Sequence, residues 1–213
     1  MKNNKKSKSI LNVPHLRFKE FSGEWKFGKL GKYANLLKCS GLSKNDLSNI
    51  GQKCILYGQL YTTYKNEIIT EVSSLTNKKL DNFVYSIAND IIIPASGETA
   101  EDIATARCLT MSNVIVGGDL NIIRLHNNNG SFFSYQLNGK RKIDIAKIAI
   151  GKSIVHLHNE DLSKIIVYFP NDIKEQQKIA TFLTLIDKRI ETQMKIIEDF
   201  CYSIIFCKII DYI

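Results

Sequence analysis

The residue types that could perform catalysis occur in this sequence without the neighbours that catalysis would need. The Glu-Trp-Lys triplet at 24–26 has the acid-x-Lys spacing of a magnesium-dependent nuclease, but no aspartate precedes it in the chain. Asp161 with the triplet at 172–174 matches that pattern loosely, and Asp172 is better placed to cap a helix. His156 and His158 would share one face of a strand, yet no further ligands have a recognisable spacing. We therefore predict that the chain has no catalytic residue and binds no metal.

Sequence motifs that bind cofactors or activate a nucleophile are also missing. The chain contains no phosphate-binding P-loop, no dinucleotide-binding fingerprint and no nucleophile-elbow motif. Gly117-Gly118 lacks the further glycine that a dinucleotide loop needs. The Asn-Pro-Pro-Tyr type tetrapeptide of adenine-methylating enzymes has no counterpart. We therefore predict that this protein is not an enzyme and holds no cofactor of its own.

Charge and composition suit a globular protein that binds nucleic acid. The chain has 213 residues, of which 29 are Lys or Arg and 21 are Asp or Glu, so its formal net charge is +8. A basic protein favours a polyanion such as double-stranded DNA, because neutralised phosphates release their counterions. Apolar residues make up 44% and charged residues 23%, which is typical of a folded soluble domain and excludes a largely disordered chain.

The sequence also gives expectations about cellular location. No stretch of about 18 uncharged apolar residues occurs, so no membrane-spanning helix is predicted. The basic N-terminus is followed only by Ile10 and Leu11, which are too few for the apolar segment of a signal peptide. Scattered cysteines without a Cys-x-x-Cys pair indicate reduced thiols. We therefore predict a cytoplasmic protein that does not associate with a membrane.

Four polar segments have residue types that could contact DNA, and each also has an ordinary structural explanation. The segment 57–64 gathers tyrosines and small polar donors around a glycine, which could read base edges or simply end a strand. The loop 96–99 could offer an acceptor to cytosine or donors to phosphate, or could be a plain turn. The basic turn 139–142 and the segment 151–156 suit phosphate, and they also suit solvated loops. The candidate DNA-binding residues are Tyr57, Gln59, Tyr61, Thr62, Thr63, Tyr64, Ser96, Gly97, Glu98, Thr99, Lys140, Arg141, Lys152, Ser153 and His156.

Short apolar runs between turn signals predict the strands of a mixed domain. The run at 90–93 reads as a buried strand stopped by a proline, and the run at 165–169 reads as a last strand closed by another proline. The runs at 114–116 and 121–125 flank a pair of glycines and are predicted to form a hairpin. Periodicity does not decide between helix and strand for two further segments, 84–88 and 143–150.

The chain divides into a basic, flexible leader at 1–13, a strand-rich domain at 14–170 and a helix at 171–213 that contains neither Pro nor Gly. Asp172 with Glu175 is predicted to form a capping box where this helix begins. Its apolar residues recur at heptad spacing, and the helix would run about 55 Å at 1.5 Å per residue. Part of it should therefore project and pair with another helix, although an ordinary long core helix is the alternative. The predicted dimerisation seam consists of Ile179, Leu183, Ile186, Ile190, Gln193, Ile197, Phe200 and Ile204.

Several short motifs, in their order along the chain, resemble the specificity subunits of type I restriction–modification systems. The first set resembles the opening and the recognition domain of that family, and the second set resembles the entry to its conserved helix. The first set is VPHLRF (13–18), FSGEW (21–25), DIIIPASGET (90–99), GGDLNI (117–122) and GKS (151–153) with HL (156–157). The second set is P (170), EQQKIA (175–180) and LIDKRI (185–190).

The resemblance implies a fold, a function and partners. The implied fold is α+β, with a mixed strand-rich target recognition domain followed by a long coiled-coil spacer helix. The implied function is sequence-specific binding of double-stranded DNA by a non-catalytic subunit. Its partners would be a modification subunit, which methylates adenine with S-adenosylmethionine, and a restriction and translocase subunit, which cleaves DNA with ATP and magnesium.

Full-length members of the family carry two recognition domains and two conserved helices, whereas this sequence shows one of each. We therefore expect a half-length subunit that forms a homodimer through antiparallel pairing of its helix. The alternative is a truncated interaction module that docks by its helix on another specificity or methyltransferase subunit, without DNA selectivity of its own. The unusually apolar tail at 201–213 departs from the amphipathic helices of the family.

Overall fold

The computed structural model of the chain describes all but a few short segments. The described residues are 13–39, 41–79, 82–151 and 154–210, with side chains of the last helix as far as Tyr202. Predictions for the leader at 1–12, for Lys152 and Ser153, and for the side chain of Ile204 lie outside the described residues. Mixed sheets with short helices are followed by one long helix, which confirms the predicted α+β class.

A mixed sheet forms the centre of the domain. Its strands are β2 (Ala34–Lys38), β4 (Ile68–Ile69), β7 (Asp90–Pro94), β9 (Arg107–Leu109) and β11 (Leu120–Leu125). They lie in the order β2-β11-β7-β9-β4, and only the β9–β4 pair is parallel. The buried strand predicted at 90–93 is β7, the middle strand of this sheet.

The apolar run of β7 is continuous because both faces of the strand are covered. Side chains alternate along a strand, so Ile91 and Ile93 join one core cluster with Phe133 of helix α3 (Gly130–Asn138). Ile92 joins a second cluster on the other face, together with Ile55. All three isoleucines are fully buried. The helix therefore covers one face of the sheet, and a smaller sheet covers the other.

The smaller sheet overturns the predicted hairpin. It consists of β3 (Gln52–Ile55), β5 (Leu75–Thr76), β6 (Val84–Tyr85) and β10 (Ile115–Val116) in the order β5-β3-β10-β6. Because β10 lies here and β11 lies in the central sheet, the two strands are not paired, and the glycines between them carry the chain from one sheet to the other. A Cβ atom on Gly117 would lie 2.8 Å from Leu56 Cδ2 and 3.0 Å from the Ile55 carbonyl, so glycine is needed for close packing rather than for a hairpin turn.

Two short pairings and several short helices complete the domain. β1 (Trp25–Lys29) pairs antiparallel with the predicted last strand, β13 (Ile166–Pro170), and β8 (Ser96–Gly97) pairs antiparallel with β12 (Val155–His156). Of the undecided segments, 84–88 contains strand β6, and 143–150 lies mostly in a short helix at 142–148. The short helices are α1 (Gln59–Thr62), α2 (Ala100–Ile103), α4 (Lys142–Ile148), α5 (Asn159–Leu162) and the 3-10 helices Leu30–Lys32 and Lys44–Asp46.

Helix α6 (Ile173–Ile210) is fixed to the domain at its start by buried polar side chains. The predicted capping box is wrong, because the Glu175 carboxylate accepts hydrogen bonds from Arg17 Nε at 2.6 Å and Nη2 at 2.7 Å rather than from the backbone. Trp25 Nε1 donates to the same carboxylate at 3.3 Å. Asp172 still caps the helix, since its Oδ1 accepts from the backbone N–H of Lys174 at 2.8 Å. A guanidinium offers a buried carboxylate two charge-assisted hydrogen bonds, which a capping box cannot match.

The rest of α6 leaves the domain. Tyr135 of α3 donates to Asp187 and contacts Thr184 at 3.2 Å, and these residues mark the last turns held by the domain. Beyond them every residue of the helix as far as Tyr202 is exposed, including Ile190 at 51% and Phe200 at 68%. The 38-residue helix is about 57 Å long, so it projects as the sequence predicts. Among the described residues, no helix is both long enough and apolar enough to span a membrane.

Candidate nucleic-acid interface

Three of the four polar segments predicted to contact DNA meet at one surface. Strand β8 pairs with β12, which places Ser96 opposite His156 and Gly97 opposite Val155. The loop after β8 then faces helix α1. A cleft between them is lined by Tyr57, Tyr61, Gly97, Glu98 and Asp102. The sequence places these segments about 40 and 60 residues apart, and the sheet pairing and helix packing bring them together.

Tyr57, just before α1, and Tyr61, within it, are positioned by one another and by helix α2. The rings of Tyr57 and Tyr61 meet edge to face, with centroids 6.2 Å apart. The Tyr61 hydroxyl donates to the backbone carbonyl of Asp102 at 3.2 Å. Burial raises the pKa of Tyr61 well above its usual value, and the nearby Asp102 raises it further, so the phenol stays protonated. Tyr61 therefore holds the cleft together, while Tyr57 leaves its hydroxyl free of described hydrogen-bond partners.

Several predicted DNA-reading side chains are occupied within the protein. Gln59 accepts from the Leu56 N–H at 2.9 Å and donates to the Ser74 hydroxyl at 2.5 Å. The Thr62 hydroxyl donates to the Gly58 carbonyl at 3.0 Å. The Tyr64 hydroxyl accepts from the Ser73 N–H at 3.4 Å. These hydrogen bonds hold α1 and the residues beside it. The same side chains therefore have fewer free groups for contacts with bases than the sequence suggests.

Thr99 is occupied in the same way at the start of α2. Its hydroxyl accepts from the Asp102 N–H at 3.0 Å and donates to the Asp102 carboxylate at 2.7 Å. By contrast, Ser96, Glu98 and His156 form no side-chain hydrogen bond or ion pair with any described residue. His156 and Glu98 are exposed, and the His156 ring stacks loosely on His158, with centroids 6.4 Å apart. These free groups, together with Tyr57 and the exposed Thr63, are the candidates best placed to contact DNA.

A second cleft on the other side of α1 contains residues that the sequence analysis did not select. It is lined by α1 residues together with Ser43, Lys44 and Asp119. Lys44 lies in a 3-10 helix held by a capping box, in which the Ser43 N–H and hydroxyl both donate to Asp46 at 2.8 Å. The Ser-x-x-Asp spacing at 43–46 was visible in the sequence and could have indicated this turn. Lys44 adds a cation to the surface around α1.

Arg107 is a further positioning residue that the sequence analysis missed. Its Nε donates to the Tyr64 carbonyl at 3.1 Å, and its Nη1 lies 3.7 Å from the Glu67 carboxylate. Asn138 of α3 contacts that carboxylate at 3.4 Å and donates to the Ala106 carbonyl at 2.7 Å. Burial lowers the pKa of Arg107, although Glu67 opposes this shift. The segment after α1 is thus tied to the core through α3, and no local sequence pattern indicates the link.

The predicted basic turn lies in a different cleft. Lys140 and Arg141 line it together with Trp25, Gln136 and Tyr168. Arg141 pairs with Asp144 at 2.9 Å, and its guanidinium lies over the Tyr168 ring at 5.6 Å from the centroid. Arg141 is therefore built into the fold, whereas Lys140 is exposed. Among the described residues, no three His, Cys, Asp or Glu side chains converge as a metal site would require.

Comparisons with known proteins define the class of this fold. The S subunit of a type I restriction–modification system from M. genitalium matches with a TM-score of 0.56 and 20% identity, over 79% of this chain and 40% of that chain. The HsdS subunit from Thermoanaerobacter tengcongensis matches with a TM-score of 0.56 and 12% identity, over 86% of this chain and 41% of that chain. This chain thus spans about two fifths of the solved chains that it matches.

A third solved chain belongs to a structure described as the structural basis of complex assembly and conformational transition of the type I R-M system. It matches with a TM-score of 0.60 and 12% identity, over 84% of this chain and 42% of that chain. A comparison with curated proteins gives no match. The fold is therefore that of type I specificity subunits. A family model described as the type I restriction modification DNA specificity domain matches residues 22–199, and the chain belongs to this family.

Proposed function

We propose that this chain recognises a specific sequence in double-stranded DNA as the specificity component of a type I restriction–modification complex. The observation that carries the proposal is the convergence of α1, the loop after β8 and β12 at one surface. There Ser96, Glu98 and His156 have hydrogen-bonding groups that no described residue occupies. Such groups on rigid elements suit base edges, and the net charge of +8 suits the phosphates. Membership of the DNA specificity domain family supports the same function.

The chemistry would then belong to partner subunits. A modification subunit would methylate adenine with S-adenosylmethionine, and a restriction and translocase subunit would use ATP and magnesium to cleave DNA. This chain would supply neither active site, in line with the sequence motifs that it lacks. The purified chain should therefore incorporate no methyl group from labelled S-adenosylmethionine and should not cut a plasmid in the presence of magnesium. A cytoplasmic location follows from the same proposal.

The projecting part of α6 supports a second component of the proposal, which is assembly through this helix. Ile186, Ile190, Ile197 and Phe200 are 39%, 51%, 61% and 68% exposed, although they lie at heptad spacing. Leaving such a stripe in water is unfavourable, so a second helix should cover it. We propose that a second copy of this chain does so in an antiparallel coiled coil, in which Gln193 would fix the register. Ile179 and Leu183 are partly covered by the domain and would contribute less.

Selection from a random duplex library with the full chain tests DNA recognition. We expect enrichment of one sequence, with weaker binding to all DNA as salt increases. Replacing Lys152 with Ala should weaken binding to all sequences and flatten the salt dependence, because a phosphate contact carries no sequence information. If no sequence is enriched while the chain still assembles through α6, it is an interaction module without DNA selectivity of its own.

A further inference from the structure

The cleft between α1 and α2 has a charge opposite to that of the chain as a whole. Glu98 and Asp102 both line it, beside Tyr57 and Tyr61, in a protein whose net charge is +8. The Asp102 carboxylate already accepts the Thr99 hydroxyl at 2.7 Å. The Glu98 carboxylate is exposed and has no hydrogen-bond or ion-pair partner among the described residues. It is therefore open to a donor from outside the protein.

The backbone on either side of Glu98 is fixed. Gly97 is buried and pairs with Val155 in the β8–β12 ladder, and a Cβ atom at this position would lie 3.4 Å from Ile103 Cβ. Thr99, on the other side, caps helix α2 by accepting from the Asp102 N–H at 3.0 Å. The backbone of Glu98 is thus held in place by its neighbours, while its side chain forms no hydrogen bond or ion pair with the residues that the structure describes. The backbone is therefore already ordered at this position, and only the Glu98 side chain must be ordered when it meets a ligand.

An ionised carboxylate can only accept hydrogen bonds, which limits what it can bind on DNA. Phosphates repel it, and the O6, N7 and O4 atoms of the bases are themselves acceptors. The groups in the major groove that can donate are the exocyclic amino groups, which are N4 of cytosine and N6 of adenine. The chemistry of the cleft therefore favours an amino group over a phosphate.

We propose that Glu98 determines sequence specificity by accepting a hydrogen bond from the exocyclic amino group of one base in the major groove. This inference rests on the proposed function in DNA recognition. It gives Glu98 two effects of opposite sign. The carboxylate repels the phosphate backbone and so lowers affinity for all DNA, while the hydrogen bond with the amino group favours the correct sequence. A binding protein can gain specificity in this way, because an unfavourable contact weakens its binding to the wrong sequences.

The test compares the full-length wild type with Glu98→Ala and with the matched control Glu101→Ala. Glu101 is an exposed carboxylate three positions away on α2, so its replacement removes the same charge close to the same cleft. The sequence preferred by the wild type is first selected from a random library. Each protein is then titrated with that duplex and with duplexes in which a single cytosine or adenine carries hydrogen in place of its amino group.

At one base, we expect loss of the amino group to weaken wild-type binding roughly 5- to 150-fold. Glu98→Ala should bind that pair of duplexes equally, whereas Glu101→Ala should discriminate as the wild type does. Both variants should bind unrelated DNA more tightly, because each removes one negative charge. The base at which discrimination disappears distinguishes cytosine from adenine.

The outcomes separate this inference from the function on which it rests. If the wild type selects no sequence, the proposed function fails and the role of Glu98 fails with it. If the wild type selects a sequence and Glu98→Ala discriminates every amino group as before, the inference alone is overturned. Equal loss of discrimination in Glu98→Ala and Glu101→Ala would also overturn it, because a general charge effect would then account for the result.

Discussion

The two open surfaces of this molecule differ in chemistry. The surface around α1, β8 and β12 leaves hydrogen-bonding side chains such as Ser96 and His156 without partners in the described part of the chain, whereas α6 beyond Asp187 leaves apolar side chains such as Ile190 and Ile197 uncovered. Free polar groups on fixed elements suit the edges of bases. An apolar stripe suits another helix, because removing it from water drives association. The two proposed roles, DNA recognition and assembly, would therefore use separate parts of the chain.

The start of α6 joins these two surfaces. Arg17 and Trp25 bind Glu175, and the buried Gln176 donates to the Pro170 carbonyl and to Asn128, both at 2.9 Å. This joint is polar and its carboxylate is buried, since the Glu175 side chain is 1% exposed. If the two surfaces act independently, variants of one should leave the other intact, and only variants of the joint should affect both.

Replacing Arg17 with Ala should have the largest effect. Among the described residues it leaves the buried Glu175 carboxylate with Trp25 as its one side-chain donor, which should reduce the free energy of unfolding by roughly 3 kcal/mol. Chemical denaturation of the two proteins measures this difference. Lys178→Ala is the matched control, because Lys178 pairs with Glu20 in an exposed position on the same helix and its loss should have little effect. Equal effects of the two variants would show that the Arg17 pair does not fix the helix.

Replacing both Ile186 and Ile190 with Glu should separate the two copies of the chain. Two carboxylates in an apolar seam cannot be buried without partners, so the mass measured by light scattering at micromolar concentration should fall from that of a dimer to that of a monomer. Selectivity for a single DNA half-site should persist. The control places the same residues outside the seam, as Lys188→Glu with Thr192→Glu, and should stay dimeric. A monomeric wild type, or a double variant that remains dimeric, would exclude this seam.

The smallest effects should distinguish two neighbouring residues of the recognition surface. Thr63→Ala should alter base preference by about fivefold with little change in stability, because Thr63 is exposed and Thr62 is the one partner of its hydroxyl among the described residues. Gln59→Ala should instead lower the free energy of unfolding by about 1–2 kcal/mol, because it removes two hydrogen bonds within the protein. Selection experiments and denaturation of both variants measure these effects. If Gln59→Ala changes preference without loss of stability, Gln59 reads DNA directly.

Local patterns in the sequence predicted those features that have local causes. The helix from Ile173 follows from a long run without Pro or Gly, and its projection follows from its length. Strand β7 follows from three isoleucines bounded by turn signals, and the polar segments at 57–64, 96–99 and 151–156 stand out by their residue types. Each of these features depends on neighbours within a few residues, so the sequence alone is enough to find it.

The tertiary structure decided which groups meet. It placed β10 and β11 in different sheets, because Val116 of β10 packs against the face of the central sheet that carries Ile92. It turned Glu175 towards Arg17, which lies 158 residues away in the chain. It also gave Gln59 and Thr99 hydrogen-bond partners within the protein, and gave Glu98 and His156 none among the described residues. Secondary structure follows mainly from short-range periodicity, whereas the partner of a polar side chain depends on segments that are distant in sequence and are brought together only by packing of the core.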